Sequence, residues 1–239
     1  MGINFQPIYI LASGAERAKD KLDTTSNNLA NVNTPGFKKI ILREMSQNIP
    51  NNPKDAKELF TFVRFNDTPV ILEQGSLKKT ERNLDLAIQG DGFFTIRDSA
   101  GNTFLTRNGH FFVDPSGTLI DQNNNLILDQ NNNPITIDPT KNITITKDGT
   151  IYQNNTQIAK LQILTYQSVN PVGNSYYTGT GNPIPPKYQI HQGFLENSNT
   201  NSIKEMINLI EAHRRFDIYG NLMRALDQLE QKTHEIGRA

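Results

Sequence analysis

Eight residues near the start of the chain repeat with a spacing that few folds accept. Ile8, Leu11, Ala15, Ala18, Leu22, Thr25, Leu29 and Val32 follow one another at intervals of 3, 4, 3, 4, 3, 4 and 3. This is a heptad seam, and Thr25 is its one polar member. Glu16, Arg17, Lys19, Asp20, Lys21 and Asp23 all lie off it. An α-helix turns once per ~3.6 residues, so the spacing keeps the apolar side chains on one face. Pro7 suits the first turn, where its missing N–H is not needed. About 26 residues of helix would span roughly 39 Å. A stripe this narrow, with two alanines, cannot bury itself and requires a helix that approaches closely.

The helix is predicted to stop at Asn33-Thr34-Pro35-Gly36. A proline pushes the residue before it out of the helical region, and glycine accepts backbone angles that other residues resist. Asn27, Asn28 and Asn31 stand just upstream. Asparagine is a mediocre helix former because its amide competes for backbone groups. The three flank Leu29 and Val32, where their amides can reach neighbouring backbones.

A second helix is predicted at the other end. Ser202 with Glu205 three residues on reads as a capping box. Ile203, Met206, Ile207 and Ile210 open an apolar face. Leu209, Phe216 and Met223 then recur at seven, as do Tyr219 and Leu226, and Leu222, Leu229 and Ile236. Gly220 is a weak point, costing about 1 kcal/mol relative to Ala. Arg214-Arg215 reads first as a solvated face, and second as a polar contact to a neighbouring subunit. The two seams are natural partners for each other or for copies of the same chain.

Between them the pattern changes. Residues 34–80 read as an extended connector with one or two short strands, Leu59–Phe65 among them. Residues 81–201 read as a β unit. Leu84 to Gln89, Gly90-Asp-Gly and Phe93 to Arg97 form strand, turn, strand. Asp98–Asn102, Asn108-Gly109, Ser116-Gly117 and Lys147-Asp-Gly-Thr punctuate further strands. Asp121-Gln-Asn-Asn-Asn and Asp129-Gln-Asn-Asn-Asn form a near-repeat around Leu126-Ile-Leu. Turns at this spacing indicate a sandwich or barrel-like unit. Residues 168–187 read as a long loop. The fold class is therefore α+β, with terminal helices packing as a coiled coil around a central all-β domain. The helical part, 1–33 and 202–239, is discontinuous in sequence.

Composition narrows the function classes. The chain has 239 residues, no net charge and no cysteine. A neutral balance leaves no electrostatic footprint for nucleic acid, and no apolar run approaches the roughly 18 residues of a membrane span. No basic segment followed by an apolar one marks a cleavable signal at the start. With 36% hydrophobic residues and no tryptophan, the core is expected to be thin, as in an elongated or assembling protein. His110, His191, His213 and His234 show no metal-ligand spacing. The two Asp-Gln-Asn-Asn-Asn runs fail as calcium loops, with Leu126 and Pro134 where glycine is required. Gly90-Asp-Gly is not a phosphate cradle, and no nucleophile elbow occurs. Asp85 and Asp91 default to surface positions. No catalytic residue, metal ligand or cofactor is expected.

Four blocks resemble the bacterial flagellar axial proteins of rod and hook. Leu22-Asp23 through Ser26-Asn-Asn-Leu-Ala-Asn-Val-Asn-Thr-Pro-Gly-Phe-Lys38 is similar to that family's N-terminal signature. Gly75 through Asn83-Leu-Asp-Leu-Ala-Ile-Gln-Gly-Asp-Gly-Phe-Phe94 resembles the second, and Leu105-Thr-Arg-Asn-Gly-His-Phe with Asp114 to Leu119 the third. Gln192-Gly-Phe-Leu-Glu-Asn-Ser-Asn199, with Glu205-Met-Ile running on to Arg215-Phe216, resembles the C-terminal signature. The chain departs from the pattern at Asn123–Asn133, where a Gly-aromatic turn is more usual, and at Thr200 in place of a usual valine.

The resemblance implies a structural subunit that stacks helically into the hollow, periplasm-spanning rod of the basal body. The partners it implies are further copies, other rod and hook axial proteins, and the type III export apparatus that passes subunits unfolded. It implies an inner tube of terminal helices and an outer β layer. The chain is too short for the outer domains of hook subunits. Its connector, Lys39 to Gly75, resembles the proximal-rod type more than the longer distal-rod type. The residues expected at assembly contacts are Leu22, Asn27, Asn28, Leu29, Asn31, Val32, Pro35, Gly36, Phe37, Leu195, Asn199, Met206, Ile210, Phe216, Met223 and Leu226. The rival from another class is a binding module or enzyme carried on a coiled-coil stalk.

Overall fold

The computed structural model describes residues 6–47, 62–67 and 69–236, and the fold is α+β. The chain forms two compact units. The first comprises Met1–Ala30, Ile40–Pro69 and Asn201–Ala239, and the second Asn31–Lys39 and Val70–Thr200.

In the first unit, helix α1 spans Gln6–Ala30 and helix α2 spans Ser202–Ile236, and the two pack together. The heptad seam is the inward face of α1. Ala15, Ala18 and Thr25 are buried, and Ile8, Leu11, Leu22 and Leu29 are half-buried. Ile10, off the seam, is 56% exposed. The approach at Gly14 is close: a Cβ placed there would lie 2.5 Å from the Tyr219 ring. Val32 continues the spacing but falls past the helix end, because the backbone leaves the helix after Ala30.

The start of α2 corrects the sequence expectation by one residue. Asn201, not Ser202, is the cap: its Oδ1 accepts the Lys204 N–H at 3.0 Å. Asparagine caps at least as well as serine. Glu205 is instead buried, at 2% exposure. The first unit also holds an antiparallel pair, Arg43–Gln47 with Phe62–Asp67. The strand expected over Leu59–Phe65 overlaps the second of these. Leu59 to Thr61 lie outside the described residues, as do Asn48 to Pro53 and Thr68.

The second unit is almost all β. Its largest sheet has eight strands, with Phe93–Arg97 near the middle. Successive side chains on a strand face opposite ways, and this strand is covered on both sides. Phe94 and Ile96 enter one apolar cluster while Phe93 enters another with Leu105, Val169 and Tyr177. The first cluster gathers side chains from three sheets. Ile145 and Ile151 come from the three-stranded sheet that ends in Thr156–Lys160, and Leu86, Ile88 and Ile190 from the pair Leu86–Gly90 with Tyr188–Gln192. Phe94 meets Phe111 edge to face, ring centroids 5.1 Å apart. Burying rings of this size supplies much of a small β core's stability.

One turn recurs five times along this unit. It is Asp98-Ser-Ala-Gly-Asn102, Asp114-Pro-Ser-Gly-Thr118, Asp121–Asn125, Asp129–Asn133 and Thr146-Lys-Asp-Gly-Thr150. In each, the first N–H donates to the fifth carbonyl at 2.9–3.0 Å and the fourth N–H to the first carbonyl at 2.9–3.1 Å. The first side-chain oxygen accepts the fifth N–H in every copy. The fourth residue has positive φ: Gly101, Gly117, Asn124, Asn132 and Gly149. This is a three-residue hairpin loop closed by a bulge. The asparagine-rich near-repeat is thus the same device with Asn in place of Gly, since both tolerate left-handed backbone.

Residues 168–187 are not one long loop. Ser168–Gly173 and Tyr176–Thr180 form an antiparallel hairpin. Asn174 and Ser175 turn it with φ of 51° and 62°, a turn whose twist matches the flanking strands. Pro171 is accommodated because its strand is the last in the sheet, where a missing N–H is tolerated.

Candidate assembly interface

Helix α2 carries apolar residues on two faces. Ala212 is fully buried, and Leu209, Tyr219, Met223 and Leu226 are half-buried. Ile203 (69%), Met206 (51%), Ile207 (53%), Ile210 (60%) and Phe216 (42%) are exposed. Leu209, Ile210, His213, Arg214 and Asp217 line a groove of about 400 Å³. A soluble helix normally shows water one polar face. Arg214 and Arg215 are exposed in the single chain.

At the other helix, the stretch Asn27–Lys38 resolves into residues with different surroundings. Asn27 is exposed, whereas Asn28 is 2% exposed. Asn28 Nδ2 donates to the Ile40 carbonyl at 2.8 Å and its Oδ1 accepts the Ile40 N–H at 2.9 Å. Asn31 accepts from Thr34 twice, at its carbonyl from N–H and at Oδ1 from the hydroxyl, both at 3.1 Å. That closes the turn after α1. Leu22, Leu29, Val32 and Pro35 are half-buried, and Gly36 and Phe37 are interior. Gly36 has φ +69°, and a Cβ there would lie 2.3 Å from the Arg107 carbonyl carbon. Only glycine fits both demands.

The second unit gathers pieces of all four sequence blocks around Glu196, whose side chain is fully buried. Lys38 Nζ donates to Glu196 Oε1 at 2.6 Å and to the Glu73 carbonyl at 2.7 Å. Arg107 Nη1 donates to Glu196 Oε2 at 3.2 Å, and Nη2 to the Gly90 carbonyl at 2.6 Å. The Gly75 N–H donates to Glu196 Oε1 at 2.9 Å, and the Gly36 N–H to the Glu196 carbonyl at 2.7 Å. The Lys38 N–H donates to the Tyr177 hydroxyl at 3.0 Å. Burial draws the proton affinity of Lys38 and Arg107 down, while Glu196 opposes that shift. Burial pushes the Tyr177 hydroxyl up to about 12.

Asn199 completes the arrangement. Its Oδ1 accepts the Lys39 N–H at 2.7 Å, and its Nδ2 donates to the Ile71 and Glu73 carbonyls at 2.9 and 3.0 Å. Leu195 beside it is half-buried. The structure therefore brings Gly36, Phe37, Leu195 and Asn199 together in the second unit. Met206, Ile210 and Phe216 stand on the open side of α2, and Met223 and Leu226 on its half-covered side.

Sequence reasoning missed Lys38, Arg107, Glu196 and Tyr177 as a group. The signal was there in part, because Lys38, Arg107 and Glu196 each fall inside a signature block. Charged residues are presumed to face water, so the pattern alone does not mark them as a buried group. The same presumption placed Asp85 at the surface, and the structure corrects it. Asp85 is 1% exposed, with His110 Nδ1 at 2.7 Å and Arg82 Nη1 at 3.2 Å.

Three family descriptions match the chain. Flagella basal body rod protein covers residues 8–38, the flagellar hook protein FlgE/F/G D1 domain covers 87–153, and the flagellar basal body rod FlgEFG protein C-terminal covers 191–236. The chain is 31% identical over 236 residues to the flagellar basal-body rod protein FlgF of Caulobacter vibrioides, covering 95% of this chain and 96% of that one. It is 30% identical over 260 residues to FlgG of Buchnera aphidicola subsp. Schizaphis graminum, covering 96% and 98%. It is 29% identical over 262 residues to FlgG of Bacillus subtilis, covering 97% and 98%. The matched regions contain Lys38, Arg107 and Glu196, so the buried cluster lies in the segments by which the relatives are matched. The chain belongs to the flagellar basal-body rod protein family, and it is a structural subunit of that rod in the bacterial flagellum.

Proposed function

We propose that the chain self-assembles helically, with other axial proteins, into the hollow shaft that transmits torque and passes exported subunits. The observation that carries this is the second apolar face of α2. Ile203, Met206, Ile207 and Ile210 are more than half exposed in the single chain. A head-to-tail contact that does not close into a ring produces a filament. In this reading α1 and α2 extend the heptad packing of one chain into a coiled coil with neighbouring helices, forming the inner tube. The shared core of the β unit is a sandwich-like packing of its sheets. The role is structural rather than enzymatic: the buried Glu196 and Asp85 are held by cations of the same chain. Export through the type III apparatus belongs to this reading by family resemblance.

We read the chain as the proximal-rod type. The alignment with the Caulobacter FlgF protein runs 236 positions, whereas those with the FlgG proteins of Buchnera and Bacillus run 260 and 262, longer than this chain of 239. Insertions thus separate it from the latter two.

Cells carrying Ile210→Asp test the assembly reading, since a charge on an exposed helix face spares the folded subunit but cannot be desolvated in a packed contact. The variant is expected to fold, to leave basal bodies without a complete rod by electron microscopy, and to abolish swimming. Normal rods from these cells would overturn the assignment of that face.

A further inference from the structure

Glu196 is a buried carboxylate shared by two cations that reach it from distant parts of the chain. Lys38 is 158 residues away in sequence and Arg107 is 89. Lys38 and Arg107 are each at most 4% exposed, and the Arg107 charge disfavours the Lys38 charge, though less than burial does. Asp91 also favours the Arg107 charge, from an exposed position. The segment Phe194–Glu196 that brings the carboxylate is held by Leu77–Lys79, and its Glu196 carbonyl receives the Gly36 N–H.

We propose that Glu196 makes docking of the Asn31–Lys39 segment conditional on prior or simultaneous docking of Phe194–Glu196. Without the carboxylate, docking Lys38 would bury two positive charges together, a state whose desolvation is uncompensated. With it, Lys38 Nζ, Arg107 Nη1 and the Gly75 N–H share one acceptor group, while the Gly36 N–H takes the backbone carbonyl of the same residue. The chain leaving α1 and the chain entering α2 are thereby secured on the β unit in one cooperative step. The cluster is a lock on chain completeness: the early segment cannot settle until the late one is in place. This holds whatever the subunit assembles with.

The test is a double-mutant cycle in the full-length chain with Lys38→Met, Glu196→Gln and the pair, read as urea midpoints by circular dichroism. Glu196→Gln is expected to raise the unfolded-to-folded ratio by on the order of a hundredfold or more, as when a buried pair loses one partner. Lys38→Met is expected to lower the midpoint in the wild-type background and to raise it in the Glu196→Gln background. A midpoint lowered or unchanged in both backgrounds overturns the proposal, because simple loss of packing has the same sign in each. If Glu196→Gln alone does not fold, recovery of folded signal in the double variant supports the proposal and failure to recover overturns it. Pulse-labelled hydrogen exchange during refolding of the wild type supplies a second reading. The Gly36 amide should gain protection with or after the Phe194–Glu196 strand, and earlier protection overturns the order.

Discussion

Asn28 grips Ile40 by both ends of its amide, donating to the carbonyl at 2.8 Å and accepting from the N–H at 2.9 Å. A side chain on a helix thus takes the place of a neighbouring strand for one residue of the connector. It satisfies two backbone groups that would otherwise be orphaned, and it explains why a helix tolerates an asparagine there.

Asn28→Asp keeps the shape but replaces the donor with a second acceptor against the Ile40 carbonyl. A loss of about 1–3 kcal/mol is expected, the penalty of an unsatisfied buried group. Urea denaturation of the purified chain measures it. Asn27→Asp, one residue away and exposed, should shift the midpoint far less.

Gly36 and Gly220 should respond to alanine with opposite signs. Gly36 sits at φ +69° with backbone atoms 2.3 Å from the position a Cβ would take, so Gly36→Ala is expected to lose at least about 2 kcal/mol. Gly220 lies inside α2 with nothing within 4 Å of the added Cβ, so Gly220→Ala should gain about 0.5–1 kcal/mol in the unassembled chain. Thermal unfolding of the two variants side by side decides it.

Phe94 is fully buried and meets Phe111 at 5.1 Å. Phe94→Ala should cost about 3–5 kcal/mol, combining lost transfer energy with the cavity left behind. The same substitution at Phe216, 42% exposed, should leave the isolated chain nearly unchanged. Calorimetry of both variants checks the contrast.

Tyr177 gives the fold an alkaline limit. Its hydroxyl holds its proton more tightly in the folded chain, up to about 12 against an ordinary 10.0, so the unfolded chain ionises first. Its contribution is therefore fully present below pH 10.0 and lost as pH rises toward about 12. Melting temperature should fall across that window. Tyr177→Phe should start lower, having left the Lys38 N–H without its acceptor, and should fall less steeply. Equal slopes would count against this assignment.

The sequence by itself determined the helical ends, the β centre and the family. Heptad spacing from Ile8 to Leu29 and Asp-x-x-Gly or Asp-x-x-Asn turns are local patterns, and local patterns encode periodicity and backbone angle directly. They are ambiguous where a local rule has a near equal. Asn201 competes with Ser202 as a cap, and the Gly, Pro and Asn of 168–180 suit a hairpin as well as a loop. Tertiary structure alone decided which charges are interior. Lys38, Arg107, Glu196 and Asp85 look like surface residues in any window of sequence. Their burial depends on partners 158, 89 and 25 residues away. It also decided that α2 covers one apolar face and leaves another open. A helix pattern says how many faces are apolar, but what lies against each is set by packing between segments that share no local signal.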